Sequence, residues 1–262
     1  MAPVALSSAC AGIPDVPIPD NPTMNDRFFL GVGAFQAETS TEARLDSAAF
    51  GLGATLDFEE SLGLEDKSFV PFGMSRIRLT DRWRLELEYF QLQRESQSSL
   101  DVDIRWGDEV FPISTGLDVR FDVAVARLSL GYAFFRRKDK ELGIALGVHQ
   151  AKIEASLEDS SGNGDLGELF APLPVASLYG GIALTDTCSL ALRVDAFSLE
   201  YGAYSGRVLS QGIELVYQPL RHVGLGLGFR SLFVDLEASD GDFRGKIESD
   251  FRGPIAFLNV SF

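Results

Sequence analysis

The sequence predicts an all-β protein that folds as one closed, up-and-down antiparallel barrel and spans a membrane. The first observation is the stretch VGLGLGFR at 223–230, in which large apolar residues alternate with glycine. Only a strand sorts such residues onto two faces, because its side chains have a period of two. In a membrane barrel the apolar face meets lipid, while glycine on the other face leaves room for neighbouring side chains in a narrow lumen. The second observation is that similar alternating runs, separated by polar turns, recur along the chain.

Composition is consistent with one large domain of this class. The chain has 262 residues, of which 45% are hydrophobic, with 26 glycines and 20 phenylalanines. No segment approaches the roughly 18 uninterrupted apolar residues of a membrane-spanning helix. A membrane protein built from strands must be a closed barrel, because only closure satisfies every backbone hydrogen bond in lipid. The formal net charge of −15 argues against nucleic acid as a partner.

The N-terminal residues are predicted to lie outside the barrel. Residues 1–11 end in the small-residue pattern Ala9-Cys10-Ala11 and are interpreted as the remainder of a secretory signal peptide. They lack the positively charged start of a signal peptide, so whether Met1 is the true start is left open. Two alternatives also remain open: an ordinary N-terminus without a signal, and a lipoprotein signal in which Cys10 carries the lipid. Residues 12–26 are proline-rich and are predicted to form an extended periplasmic lead-in. The barrel is assigned to residues 27–262.

Four tight polar turns organise the predicted strands. They lie around Asp81, Lys138, Asp186 and Arg221, and longer connections are predicted at about 38–66, 95–117, 157–170, 203–207 and 238–246. Short turns at one end and long loops at the other are typical of bacterial outer-membrane barrels, whose turns lie in the periplasm. Four turns need eight strands, and one strand at each end makes about ten, although eight or twelve also fit. We therefore expect the cell outer membrane of a Gram-negative bacterium as the location, with both termini in the periplasm.

The alternation also predicts which residues face lipid. Parity is blurred around Ala126 and after Ala196, and a β-bulge is the expected cause. The outward residues read most clearly are Phe28, Leu30 and Val32; Trp83, Leu85, Leu87 and Tyr89; Leu142, Ile144, Leu146 and Val148; and Leu190, Leu192 and Val194.

Charged residues of both signs are predicted on the inward faces. An isolated charge in a poorly solvated lumen carries a large desolvation cost, so these groups should pair. One interpretation is a salt-bridged plug that stiffens the barrel, and the other is the polar lining of a narrow channel for small solutes. This lumen charge network is expected to contain Arg76, Arg78, Arg84, Glu86, Glu88, Arg127, His149, Arg193, Asp195, Glu214 and Arg230.

The sequence shows no catalytic constellation. It has two histidines, of which His222 falls in a predicted turn and His149 is expected to be a hydrogen-bonded residue of the lumen. A rim hydrolase of the omptin type is a third candidate function, since omptins are ten-stranded and use acidic residues and a histidine at the extracellular rim. His149 lies too low on its strand for that geometry. We therefore predict a non-enzymatic barrel.

The long connections are acidic, whereas the turns are basic. Acidic loops at the outer face could bind Ca²⁺ or Mg²⁺, directly or shared with lipopolysaccharide phosphates. Asp159, Asn163 and Asp165 follow the odd spacing of a calcium loop, but Phe170 stands where the bidentate glutamate belongs. A solvated loop is therefore the favoured interpretation, and no cofactor is expected. The expected partners are outer-membrane lipid and lipopolysaccharide, and the oligomeric state is left open.

The chain ends in AFLNVSF, which places Leu258, Val260 and Phe262 on one face with an aromatic residue last. This ending resembles the C-terminal assembly signal of bacterial outer-membrane proteins. The resemblance implies that the barrel-assembly machinery is a partner during biogenesis.

Longer stretches carry a wider resemblance. APLPVASLYGGIALTDTCSLALRVDAFSLEY, QPLRHVGLGLGF and GDFRGKIESDFRGPIAFLNVSF, with RFFLGVGAF and RLDSAAFGLG, resemble a family of uncharacterised proteobacterial outer-membrane β-barrel proteins over most of residues 26–262. These motifs are structural, so the resemblance implies the fold and no catalytic residues. The expected function is a structural or surface-interaction role with a charge-paired lumen and acidic extracellular loops.

Overall fold

Ten antiparallel strands close into a barrel in the computed structural model of this chain. Each strand of the ring pairs with its neighbours in chain order, and the last strand pairs with the first over Phe29–Ser261 to Ser47–Phe243. The prediction of an up-and-down barrel of about ten strands is therefore confirmed. The described residues are 18–47, 54–99, 104–106, 109–111, 116–159, 164–201, 204–240 and 243–262.

In the described part of the chain, three short strands lie outside the ring. One of them adds to the edge of the first barrel strand, and the other two pair with each other. The elements are α1 (Pro22–Asn25), β1 (Phe28–Ser47), β2 (Ala54–Asp57), β3 (Lys67–Arg78), β4 (Trp83–Ser99), β5 (Ile104–Trp106), β6 (Glu109–Phe111), β7 (Gly116–Arg136), β8 (Lys140–Asp159), β9 (Gly164–Ala183), β10 (Cys188–Tyr201), β11 (Tyr204–Tyr217), β12 (Val223–Asp240) and β13 (Phe243–Ser261). No helix in the described ranges is long and apolar enough to cross a membrane.

The barrel has two distinct ends. The connections 79–82, 137–139, 184–187 and 218–222 lie at the end that also holds α1 and the C-terminus, which we call the turn end. Two backbone hydrogen bonds join the start of β1 to the last residue there: the Phe28 amide donates to the Phe262 carbonyl at 2.8 Å and the Phe262 amide donates to the Phe28 carbonyl at 3.0 Å. The opposite end is called the loop end.

A belt of exposed apolar side chains surrounds the barrel nearer the turn end. A soluble protein rarely leaves so continuous an apolar surface uncovered, whereas a bilayer requires one. Each strand of the ring contributes, as shown by Leu30, Phe69, Leu87, Leu128, Ile144, Leu178, Leu192, Ile213, Leu227 and Leu258.

The strands continue beyond this belt into segments that the sequence assigned to loops. The strand β8 reaches Asp159 and β9 starts at Gly164, so most of the predicted connection 157–170 is strand. In these extensions the polarity of the two faces is reversed. On β7, Val119, Phe121 and Val123 are buried inward while the residues between them are polar. An outer face that meets water must be polar, so the apolar residues of these extensions face inward. A search for strands with outward apolar residues therefore does not detect the extensions.

The same reversal explains the blurred parity. On β7 the odd-numbered residues face inward from Val119 to Ala133, so the predicted bulge around Ala126 is wrong. The pairing with β8 instead shifts register between Ala133 and Phe135. After Ala196 the alternation also continues, since Phe197 packs against the internal core. What changes at both places is the chemistry of the lumen, which turns from polar to apolar.

Lumen glycines lie beneath large side chains of other strands. A Cβ atom on Gly226 would lie 2.0 Å from the Phe257 ring, and one on Gly143 would lie 2.3 Å from the Tyr179 ring. These glycines therefore make room for aromatic residues that fill the lumen.

Candidate functional site

The turn end of the lumen is closed by α1. Asn21 caps this short helix by accepting the Thr23 amide at 3.0 Å, and its side-chain amide donates to the Thr185 carbonyl at 3.0 Å. The Thr23 hydroxyl lies 2.6 Å from the Ser189 hydroxyl, and Met24 is buried. Residues 21–24 are thus packed into the barrel mouth, which differs from the extended lead-in predicted for 12–26. Residues 1–17, which include the predicted remainder of a signal peptide at 1–11, lie outside the described residues.

Asp26 fastens the segment that leads from α1 into β1. Its carboxylate accepts bonds from both terminal nitrogens of Arg221, at 2.7 and 2.9 Å, and from the Ser261 hydroxyl at 2.7 Å. Burial raises the pKa of Asp26, but the hydrogen bonds from Arg221 and Ser261 outweigh it and leave the pKa below its ordinary value.

Above α1 lies a group that we call the turn-end arginine cluster: Arg76, Arg78, Arg84, Arg136 and Glu141. The buried Glu141 carboxylate lies 2.7 Å from Arg78 Nη1, 2.7 Å from Arg84 Nη1 and 3.3 Å from Arg136 Nε. The Arg84 guanidinium also lies 3.2 Å from the centre of the Tyr179 ring. One carboxylate thus serves three guanidinium groups.

Arg76 is placed differently from the other three arginines. Within the described part of the chain, no carboxylate lies within 4.0 Å of its guanidinium nitrogens; it donates instead to the Thr23 carbonyl of α1. Its guanidinium carbon lies 5.0 Å from the centre of the Phe29 ring. Its Nε is buried without a hydrogen-bond partner.

The middle of the lumen holds a second group, the central network: Glu86, Glu88, Arg127, His149, Arg193, Asp195, Glu214 and Arg230. Arg193 contacts Glu86, lies 2.6 Å from Asp195 Oδ1, and donates to the Ser177 hydroxyl at 2.8 Å. His149 Nε2 lies 3.3 Å from Asp195 Oδ2. These contacts join β4, β8, β9 and β10 across the barrel.

Arg127 and Arg230 connect the remaining carboxylates of the central network. Arg127 donates to Glu88 at 3.0 Å and lies 3.7 Å from Asp195 Oδ2. Arg230 contacts Glu88 and donates to Glu214 at 3.0 Å. All eleven charged or histidine residues expected in the lumen from the sequence therefore lie in one of the two groups.

The loop end of the lumen is closed by an apolar core. Segment 58–64 tucks Phe58, Leu62 and Leu64 into the mouth, where their side chains are buried. The turn that returns them needs Gly63, whose φ of 67° lies in the left-handed region. The other main members of the apolar core are Phe35, Val70, Phe72, Phe90, Leu92, Val119, Phe121, Val123, Val125, Phe251 and Phe257.

A buried ion pair anchors this segment. Arg94 contacts the Glu59 carboxylate and donates to the Thr41 hydroxyl at 3.0 Å. Glu59 in turn accepts the Thr41 amide at 2.8 Å. The segment is therefore held by side chains as well as by apolar packing.

A cavity of about 140 Å³ remains in the lumen between these closures. Its walls include α1, both charged groups and the lower part of the apolar core. It is several times the roughly 10–15 Å³ that holds one water molecule.

The outer face of the loop end carries a groove of about 470 Å³, which we call the acidic face. Its carboxylates are Glu38, Glu42, Asp66, Glu248 and Asp250. Basic residues lie beside some of them: Lys246 is 2.9 Å from Glu248, and Lys67 is 3.4 Å from Glu38. Among the side chains that the structure describes, no group of three His, Cys, Asp or Glu residues is placed to hold a metal ion.

The other residues singled out in the sequence are placed as follows. Asp159, Asn163 and Asp165 lie outside the described side chains. Leu258 and Phe262 face outward, and the Phe262 ring lies 5.7 Å from the ring of Phe28.

Four described residues of the lumen were missed from the sequence: Arg94, Arg136, Glu141 and Tyr179. Arg136 was assigned to a basic turn. Glu141 continues the inward series Gly143, Ala145, Gly147 and His149 by one step, so extending that series towards the turn would have found it. Arg94 likewise continues the inward series of β4, but it was assigned to the edge of a loop. Tyr179 was missed because the inward and outward faces of β9 were not assigned from the sequence.

Comparisons with known proteins agree with this architecture. No protein-family model matches the chain, and neither does any curated protein. The outer-membrane protease OmpT from Escherichia coli is similar in structure, with a TM-score of 0.59 at 12% identity over 92% of this chain and 98% of that one. The chain has the fold of proteobacterial outer-membrane β-barrel proteins.

Two other solved structures match with lower scores. The outer-membrane protein OprG from Pseudomonas aeruginosa gives a TM-score of 0.41 at 11% identity over 90% of this chain and 97% of that one. The toluene transporter TodX from Pseudomonas putida gives 0.38 at 10% identity over 94% and 93%.

Proposed function

We propose that this chain is a non-enzymatic outer-membrane barrel that acts through the surface of its loop end, with both termini in the periplasm. The observation that carries the proposal is closure of the lumen at three levels: α1, the two charged groups, and the apolar core. A filled barrel offers no path for a solute, so the surface is what remains available to a partner.

The orientation rests on the asymmetry of the two ends. The start of the first barrel strand, the end of the last one and four short connections all lie at the turn end. In bacterial barrels this arrangement is found on the periplasmic side. The loop end extends beyond the apolar belt with polar outward residues, as a part of the barrel in water requires. The acidic face would then lie outside the cell and would favour cationic partners.

A hydrolase at the loop end is disfavoured by the positions of the two histidines. His149 lies in the central network, and His222 lies in a turn at the opposite end, 2.8 Å from the Ser261 carbonyl. Neither can act as a base at the loop end. The likeness to OmpT is one of fold at 12% identity and carries no residue roles.

A narrow channel is the second candidate, and one observation favours it. The lumen keeps a cavity of about 140 Å³ lined by charged groups. Conduction would require both α1 and the apolar core to leave their places, so the closed barrel remains the first candidate.

The test is binding of a cationic probe by cells that display the full chain. One variant neutralises the acidic face through Glu38→Gln, Glu42→Gln, Glu248→Gln and Asp250→Asn. The matched control neutralises four outward carboxylates elsewhere on the barrel, through Glu95→Gln, Asp118→Asn, Asp122→Asn and Glu158→Gln.

Binding of labelled poly-lysine should fall in the first variant and stay near the wild-type level in the control. It should also weaken as salt is raised, because exposed charges are screened. Equal binding by the wild type and the first variant would contradict a role for the acidic face.

A further inference from the structure

Charge is unevenly distributed along the lumen. In the turn-end arginine cluster, four guanidinium groups surround one buried carboxylate, Glu141; outside the cluster, Arg84 also lies 3.0 Å from Glu86 and Arg136 lies 3.5 Å from the exposed Asp81. In the central network, three guanidinium groups face four carboxylates, and His149 adds no charge when neutral. The positive surplus therefore lies next to α1, where the lumen is closed.

Arg76 is the centre of this surplus. The register of β3 and β4 places it directly opposite Glu86, but Glu86 is occupied by Arg84 at 3.0 Å and by Arg193. Arg76 is left with the Thr23 carbonyl, the Phe29 ring and an Nε that has no hydrogen-bond partner. A buried guanidinium with no carboxylate at ion-pair distance is costly, because burial removes its hydration and no direct ion pair replaces it.

The cavity supplies the space for a counter-ion. Six arginines and five carboxylates line it, and its turn-end part is formed by Arg76, Arg78 and Arg84 with Thr23 and Ser189. It is closed by α1 on one side and by the apolar core on the other, so an anion inside it would interact in a medium of low dielectric constant. A planar guanidinium donates two parallel hydrogen bonds, which matches an oxyanion better than a spherical halide.

We propose that the lumen cavity binds one small inorganic oxyanion, of the phosphate or sulfate class, with Arg76 as its principal ligand. The anion compensates the turn-end arginine cluster and is enclosed when α1 closes the mouth. This inference concerns the lumen and does not depend on the role proposed for the acidic face.

The test uses the purified full chain, folded in detergent with radiolabelled inorganic phosphate and then desalted. The wild type should retain about one phosphate per barrel, as a single site requires. Arg76→Gln should bind roughly ten- to a hundredfold more weakly, the range expected for loss of a charge-assisted hydrogen bond. The matched control is Arg82→Gln, which removes an exposed arginine from a turn at the same end.

Each outcome decides the proposal. Retention by the wild type and Arg82→Gln with loss from Arg76→Gln supports it. Absence of phosphate from the wild type, or equal retention by Arg76→Gln, overturns it. If Arg76→Gln does not fold, Arg76→Lys decides: weaker retention supports a guanidinium ligand, and unchanged retention overturns it. Sulfate should displace the label and chloride at equal ionic strength should not; equal displacement would also overturn the oxyanion assignment.

Discussion

Replacing Glu141 with glutamine tests whether the charged lumen stabilises the barrel. The substitution keeps the shape of the side chain but removes the carboxylate shared by Arg78, Arg84 and Arg136, which lie 2.7, 2.7 and 3.3 Å away. Removing one partner from a buried ion pair typically costs about 3–5 kcal/mol. The amide oxygen still accepts a hydrogen bond, so we expect a loss near the lower figure, about a hundredfold in the ratio of folded to unfolded protein.

The assay is urea unfolding in detergent micelles, followed by gel mobility without boiling, since a folded barrel runs faster than the unfolded chain. The matched control is Glu158→Gln, an exposed glutamate on the same strand, which should change the free energy of unfolding by less than about 0.5 kcal/mol. The double variant Glu141→Gln with Arg78→Gln should lose less stability than the sum of the two single losses, because the two residues interact. Equal unfolding midpoints for Glu141→Gln and Glu158→Gln would refute the reasoning.

Three further predictions concern the turn end. Deleting Phe262, whose ring lies 5.7 Å from the ring of Phe28, should lower the yield of folded barrel in the outer membrane; an unchanged heat-modifiable band would place the assembly signal elsewhere. Asp26 has a folded pKa below its ordinary value, so its stabilising effect is complete above the unfolded pKa of about 3.9 and is lost as the pH falls through the lower folded value; urea midpoints of Asp26→Asn should lack this dependence. Asn21→Ala removes the cap of α1 and a hydrogen bond to Thr185, a loss of about 1–2 kcal/mol, so limited proteolysis should remove the N-terminal segment faster while the barrel stays folded. Cleavage at the wild-type rate would contradict the account of α1.

The parts of the fold that the sequence predicted are those set by strand alternation within the apolar belt. The run from Val223 to Arg230 is an example, since lipid selects its large residues and the Phe257 ring leaves no space above Gly226. Alternation is a local property, so it can be read from a single sequence.

The errors arose where the surroundings of the strand change. Around Ala126 the strand leaves the apolar belt, so its inward face becomes apolar, and the pattern imitates a bulge that is not there. The same change led the strand extensions to be assigned to loops. Polarity shows which face of a strand is apolar, and it does not show whether lipid or a core covers that face.

The sequence predicted which residues lie in the lumen better than it predicted which of them contact each other. Parity places Arg193 and Asp195 in the lumen, but which carboxylate each arginine meets depends on the register of strands far apart in the chain. The closure by α1 was not predicted, because its partners Thr185 and Ser189 lie more than 160 residues away. No local pattern in a proline-rich segment encodes such contacts.

Conductance in planar bilayers tests the central claim, closure of the lumen, most directly. Charge pairing alone would suggest that changing Arg84 and Arg193 together to alanine opens a path. The structure adds α1 at one end and the apolar core at the other, and neither depends on those two side chains. We therefore predict no steady conductance for the wild-type protein and none for the double alanine variant. Stable, frequent openings of the wild-type protein would contradict a closed lumen and would favour the channel as its function.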